Sequence, residues 1–289
     1  MSTYCIGAAQ FGVSSYGFNE TALMPSEEIY DILDYSLDRG INCIDTSPFY
    51  GNCEKTLSSY PKKNDLQIFS KVKGEFTLDH ILQTLNLKRI EGCFIHSFKE
   101  FYFNKHIYET LRLSKKKGKI NQIGFSLYYP QELKYLLDNR IEVDMVQVPY
   151  NFFDRRFESF FSTLKALNIK IFCRSIFLQG LIFSPPSDRE IFKLLSPKVA
   201  LLKKYCQELK VSREYLCIKF CAQNDFLNYV IVGTDDLAHH KSNTEALLST
   251  GNISFKEDFL SQMKTSNFNK LMSAIAPNAP KPDEWESDE

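Results

Sequence analysis

Short apolar runs alternate with helix-period segments along almost the whole chain. The first run, Cys5-Ile6-Gly7-Ala8-Ala9, precedes a segment from Ser26 to Arg39 in which Ile29, Ile32, Leu33 and Leu37 share one helical face. Ser26 reads as its N-cap, Glu27 and Glu28 suit the first turn, and Gly40 stops it. Later runs are 41–44, 66–69, 93–95, 120–125, 145–148, 169–173 and 229–232. The segments that follow them predict helices near 53–59, 78–87, 107–117, 131–138, 157–167, 199–209 with 213–222, and 237–248. Runs with little polar alternation suit strands buried on both faces, and strand–helix alternation implies a parallel sheet with right-handed crossovers. Eight such units predict an α/β fold, the closed (β/α)8 TIM barrel, as a single domain over residues 1–275. The rival open doubly wound sheet would carry a Gly-rich fingerprint after its first strand; the chain has Gln10-Phe11-Gly12 there instead. Residues 255–272 predict one extra C-terminal helix, and the Pro-rich acidic stretch 276–289 a short disordered tail.

Composition narrows the class. Of 289 residues, 35 are basic and 35 acidic, so no net positive field exists to grip nucleic acid. The dense basic run Lys115-Lys116-Lys117-Gly118-Lys119 reads as the solvated end of a helix. No apolar stretch approaches the roughly 18 residues that span a bilayer, and the start has no basic-then-apolar leader pattern, so a cytoplasmic protein without membrane partners is expected. The eight cysteines lack CxxC pairing or a zinc-spaced histidine and mostly sit inside apolar runs. They read as small buried hydrophobes in a reducing compartment, and no metal is expected.

In a barrel of this kind, chemistry gathers at the C-terminal ends of the strands. The residues just past or near the ends of the runs are Asp45, Lys71, His96, Ser126, Gln147, Arg174 with Ser175, and Gly233. Each has an ordinary reading taken alone: Asp45 as a helix cap, Lys71 as a surface charge, His96 as a satisfied core histidine. An acid, an amine and an imidazole on three successive strand ends make the rim the candidate site.

The segment Gly40-Ile41-Asn42-Cys43-Ile44-Asp45-Thr46-Ser47-Pro48-Phe49-Tyr50-Gly51 resembles the aldo-keto reductase signature. Phe69-Ser70-Lys71-Val72 and Phe94-Ile95-His96-Ser97 resemble the family's lysine and histidine segments. Gly124-Phe125-Ser126, Gln147-Val148-Pro149-Tyr150-Asn151, Leu178-Gln179-Gly180-Leu181 and Val232-Gly233 through Asn243 resemble its cofactor segments in order. The likeness runs from about Gly7 to Asn243. It implies a catalytic tetrad of Asp45, Tyr50, Lys71 and His96, and hydride transfer from a reduced nicotinamide to an aldehyde or ketone. Tyr50 is then the general acid, Lys71 lowers its pKa, Asp45 keeps the lysine charged, and His96 places the carbonyl. It also implies Ser126 and Gln147 at the nicotinamide carboxamide, Arg174 and Ser175 at the ring, Leu178 and Gly180 at the pyrophosphate, and Gly233, Lys241 and Asn243 towards the adenosine. Two positions depart from the pattern. Leu127 stands where asparagine is usual, and 234–243 lacks the early Lys or Arg that commonly clamps a 2′-phosphate, with His239 where arginine is frequent. NADP(H) is expected over NAD(H), with Lys241 as the nearby cation.

The candidate pocket walls mix aromatic and polar residues, which suits a small aldehyde or sugar-like carbonyl as substrate. Gln10-Phe11-Gly12 and the Arg-Ser-x-Phe-Leu-Gln-Gly run resemble a bacterial subgroup of the family. A monomer or small homo-oligomer is expected. Two other readings are a cofactor-binding redox-sensing regulator with little turnover, which loss of a tetrad residue would favour, and a nicotinamide-independent isomerase or lyase, which leaves the cofactor segments unexplained.

Overall fold

In the computed structural model the apolar runs close into a barrel of eight parallel strands. These are β1 (Thr3–Gly7), β2 (Cys43–Asp45), β3 (Gln67–Val72), β4 (Ile90–Ile95), β5 (Ile120–Ser126), β6 (Met145–Pro149), β7 (Lys170–Arg174) and β8 (Tyr229–Gly233). Neighbours in sequence are neighbours in the sheet, and β1 closes the ring between β2 and β8, with Gly7 opposite both Asp45 and Gly233. The structure describes residues 2–265 apart from 17–18, 21, 184–189 and 194; the expected tail at 276–289 lies outside the described residues.

The helices are α1 (Ser26–Leu37), α2 (Cys53–Ser59), α3 (Leu78–Leu85), α4 (Phe98–Phe103), α5 (His106–Lys116), α6 (Pro130–Asp138), α7 (Glu158–Ala166), α8 (Glu190–Lys193), α9 (Ser196–Leu209), α10 (Arg213–Ala222), α11 (Leu237–Leu248) and α12 (Glu257–Met263). α1 begins at Ser26 itself, with Pro25 as N-cap, so Ser26 makes no capping bond. α12 is shorter than the helix expected over 255–272. α4 is absent from the periodicity reading because Phe98, Phe101, Tyr102 and Phe103 are weak helix formers. Its start is visible in Ser97, whose hydroxyl accepts from the Glu100 N–H at 3.2 Å.

Two apolar layers hold the barrel. Inside it, Phe69, Phe94, Met145, Phe172 and Ile231 pack with Cys5 and Cys43. Phe172 stacks on Tyr229 with centroids 4.1 Å apart and meets Phe69 edge-on at 4.8 Å. A Cβ at Gly92 would come within 2.7 Å of both Phe69 and Met145, so the missing side chain is what admits those two. The second layer lies between strands and helices. It includes Ile32, Leu33, Leu57, Ile81, Leu133 and Leu164, the inward positions of the helical periodicity. All eight cysteines are buried free thiols, as their apolar contexts suggested. Among the described residues, no helix is long and apolar enough to cross a membrane.

Candidate active site

Asp45 ends β2 and pairs across the ladder with Phe69, which puts Lys71, two residues further along β3, on the inward face next above. Its ammonium uses three donors at once: Asp45 Oδ2 at 2.7 Å, the Thr46 carbonyl at 3.0 Å and the Tyr50 hydroxyl oxygen at 3.2 Å. Lys71 is 1% exposed and Asp45 3%. An ion pair so buried is tolerable only because its remaining valences are met. The other carboxylate oxygen of Asp45 accepts from Gln147 Nε2 at 2.7 Å.

Tyr50 reaches this pair through a tight turn after β2, in which its N–H donates to the Ser47 carbonyl at 2.9 Å. Gly12 supports that turn. A Cβ there would fall 1.8 Å from the Tyr50 carbonyl oxygen, and one on Gly51, at φ +55°, would fall 2.2 Å from the Gly12 oxygen. Backbone packing of β1's exit against the tyrosine turn thus accounts physically for glycine in Gln10-Phe11-Gly12.

Burial pushes the Tyr50 phenol well above its ordinary pKa, with Asp45 and Tyr128 adding to the rise and only Arg174 opposing it among the leading influences. The sequence reading expected Lys71 to pull this pKa down. At Tyr50 the largest influence is burial, which acts in the opposite direction. His96, just past β4, moves the opposite way: burial holds its imidazole well below the usual value, reinforced by the Lys71, Lys73 and Arg174 cations. It is therefore neutral at physiological pH. Its Nδ1 is buried without a hydrogen-bond partner among the described residues, and its ring lies edge-on to Phe49 at 5.5 Å.

A cavity of about 620 Å³ runs from Asp45 and Tyr50 across the barrel mouth. Of the positions expected from sequence, Asp45, Tyr50, Gln147, Arg174, Ser175, Gly180, Gly233 and Asn243 line it. Lys71 sits behind Tyr50, and His96, Ser126 and Leu178 are outside the lining. Lys241 is also outside it, with its ammonium 5.4 Å from the Tyr35 ring centroid. Arg174 donates to the Leu127 carbonyl at 3.0 Å and to Ser175 Oγ at 3.2 Å, with the Tyr128 ring centroid 4.3 Å away. Lining residues that strand-end reasoning missed include Gln10, Arg213, Thr234 and Ser242. Arg213 opens α10, and nothing but the Ser212 cap before it marks the place in sequence. At this end Asp235 and Asp236 flank His239 Nδ1 at 2.7 and 2.9 Å, and Asp235 raises the imidazole's pKa. These three also form a grouping of metal-ligand type, partly exposed and already hydrogen-bonded internally.

The donor set fits a dinucleotide. Gln10 Oε1 is a buried carbonyl oxygen with no hydrogen-bond partner among the described residues, at the cavity wall. A Cβ on Gly233 would approach it to 2.7 Å, so Gly233 keeps that wall open. Ser175, Leu178, Gln179 and Gly180 all have positive φ, between 48° and 90°, and the Leu178 and Gly180 N–H groups close the turn on the Ser175 and Phe177 carbonyls at 2.9 and 3.0 Å.

The sequence model of the Aldo/keto reductase family matches residues 4–265. No curated protein matches the sequence significantly. Among solved structures, aldo-keto reductase AKR11C1 from Bacillus halodurans in its holo form is similar at 18% identity and TM-score 0.73, over 90% of this chain and 91% of that one. A Pseudomonas aeruginosa protein classed among aldo-keto reductases is similar at 22% identity and TM-score 0.65, over 85% and 89%. At these identities the structural likeness speaks for the fold.

Proposed function

The chain belongs to the aldo/keto reductase family, oxidoreductases of carbonyl compounds that use nicotinamide cofactors, and on that premise we propose that it reduces a small aldehyde or ketone to the alcohol with Tyr50 as general acid. The observation that carries this reading is the Tyr50 hydroxyl at the cavity wall, receiving a hydrogen bond from a buried Lys71–Asp45 pair.

When bound, a reduced nicotinamide would supply the hydride for the new C–H bond. The chain supplies the proton for the oxygen. Because Lys71 donates to the phenol oxygen, the Tyr50 O–H proton is directed to another acceptor, and the raised pKa keeps it in place until a substrate oxygen gains negative charge. Once that proton has left, the same Lys71 N–H stabilises the phenolate. His96, neutral, donates one ring N–H to the carbonyl oxygen and fixes its position. Gln147 and Ser126 hold the nicotinamide end, although Gln147 also braces Asp45 through Nε2. Arg174, Ser175, Leu178 and Gly180 hold the middle, and Gly233, Asn243 and Gln10 the far end.

NADP(H) is the proposed cofactor, with Arg213 and His239, whose imidazole pKa is raised by Asp235, as the groups for the 2′-phosphate in place of Lys241. Reduced-nicotinamide absorbance should fall when aldehydes, ketones or sugars are added to the wild type and stay flat with Tyr50→Phe. Absence of turnover across such a panel would reject the reading. Arg213→Ala should weaken NADPH about tenfold in a binding titration while changing NADH little, since one charge-assisted contact is lost. Equal losses for both cofactors would remove Arg213 from phosphate recognition.

A further inference from the structure

We propose that the substrate carries a carboxylate beside an aromatic or apolar segment, and that Lys73, with Phe49 and Phe76, is the element that selects it. The proposal rests on the reductase reading of the same site and names the substrate class.

Phe49 is 42% exposed although it stands directly before the catalytic imidazole, edge-on to His96 at 5.5 Å and to Phe76 at 5.0 Å. Exposed Phe49 and half-buried Phe76, beside His96 and outside the lining of the main cavity, form a surface that an apolar substrate segment would cover. The Lys73 ammonium lies over the same ring, 5.3 Å from the Phe49 centroid. The backbone that carries it is closed on itself. Lys73 and Phe76 exchange hydrogen bonds of 3.3 and 3.1 Å across a closed turn, and Gly74, at φ +59°, donates to Glu100 Oε1 at 2.6 Å.

Lys73 makes no ion pair with any described carboxylate. Other exposed lysines do so readily, as in Lys62–Asp34, Lys115–Asp144 and Lys119–Asp79. Glu100 Oε1 is engaged by the Gly74 N–H, and Glu75 within the turn makes no ion pair with Lys73. The field at His96 agrees: Lys71, Lys73 and Arg174 all act on it with one sign and no carboxylate is among the opposing influences. Lys71 is held by Asp45, and Arg174 is directed towards Leu127 and Ser175, so Lys73 is the cation of the three whose ammonium has no hydrogen-bonded partner among the described residues. An ammonium over an exposed aromatic ring matches a molecule with a flat or apolar body and one terminal carboxylate.

The test compares 4-carboxybenzaldehyde with its neutral partner 4-formylbenzamide, using NADPH, in the wild type, Lys73→Met and Lys117→Met, the last a surface lysine at the opposite end of the barrel. The wild type should favour the acid by about tenfold in kcat/KM at low salt, mostly through KM, with the ratio falling as salt is raised. Lys73→Met should lose most of that ratio, and Lys117→Met should keep it. Calorimetric binding of the alcohol products, 4-(hydroxymethyl)benzoate and its amide, reads the same preference without turnover. Turnover of the amide as efficient as that of the acid overturns the proposal and leaves the reductase reading standing. Lys73-dependent binding of the benzoate supports the anion site even where neither aldehyde is turned over, and absence of turnover across the wider carbonyl panel as well then overturns the reductase reading alone. A preference for the acid that survives in Lys73→Met overturns the role of Lys73.

Discussion

Tyr50, Lys71, Asp45 and Gln147 form one hydrogen-bonded chain, so a change at any of them is felt at the phenol. Tyr50→Phe removes the acid and leaves the ring. We expect carbonyl reduction to fall by about 10²- to 10⁴-fold with cofactor affinity nearly unchanged, checked by steady-state rates beside a binding titration. Lys71→Met has a second consequence, because it leaves the Asp45 carboxylate buried without its cation. Unfolding by denaturant should show a loss of about 3–5 kcal/mol, and pairing the change with Asp45→Asn should restore much of it. The strand-end residues of this group were legible in sequence because a barrel puts such positions on one rim. The direction of the Tyr50 shift was not, since it depends on how burial weighs against two opposite charges only ångströms away. Arg213 was illegible for another reason: it enters the cavity from a helix start rather than a strand end.

Between elements, polar contacts fix how helices sit on the barrel. His240 of α11 is fully buried against α1 and β1. Ser36 Oγ donates to the Ile32 carbonyl at 2.7 Å and so accepts from His240 Nε2, which leaves Nδ1 to accept from the Tyr4 hydroxyl at 3.5 Å. Burial lowers this imidazole from 6.5 to about 4. The unfolded chain therefore takes up a proton that the folded chain refuses between those values. Stability from this site is whole above about pH 6.5 and is lost as pH falls towards 4, amounting to about 3 kcal/mol at the acid end. Denaturation of wild type and His240→Gln at the two pH values should show the gap between them narrowing on acidification; a constant gap would mean that His240 does not titrate in this window. Glu132 of α6 has the opposite sign. Its Oε2 accepts from the Tyr128 and Tyr129 N–H groups at 2.6 and 2.9 Å, and burial raises it to about 7. It therefore favours the fold below its unfolded value near 4.5 and loses that advantage as pH rises towards 7, which is why the comparison must be between variants rather than on wild type alone. None of these contacts could be read from periodicity, which marks which face of a helix is apolar but not which polar atoms meet across an interface.

For the molecule as a whole, the barrel interior is an aromatic plug rather than a pore, and Phe172 is its centre, touching Phe69, Phe94 and Tyr229. Phe172→Ala should cost about 3–5 kcal/mol in equilibrium denaturation, because strands closed into a ring cannot collapse into the space left. A loss under 1 kcal/mol would show that the interior relaxes. The sequence by itself determined the order of the barrel strands, most of the helices between them, the barrel class and the rim positions, because period, strand length and alternation are local properties repeated along the chain. The zero net charge, a sum over the whole sequence, conceals a mouth where Lys73 and Arg174 stand without cancelling partners of the kind Lys71 has in Asp45. Tertiary structure alone decided which charges cancel, which way Lys241 and Arg213 face, and how far burial lifts Tyr50, since these follow from distances between residues remote in sequence, over which electrostatics and packing act.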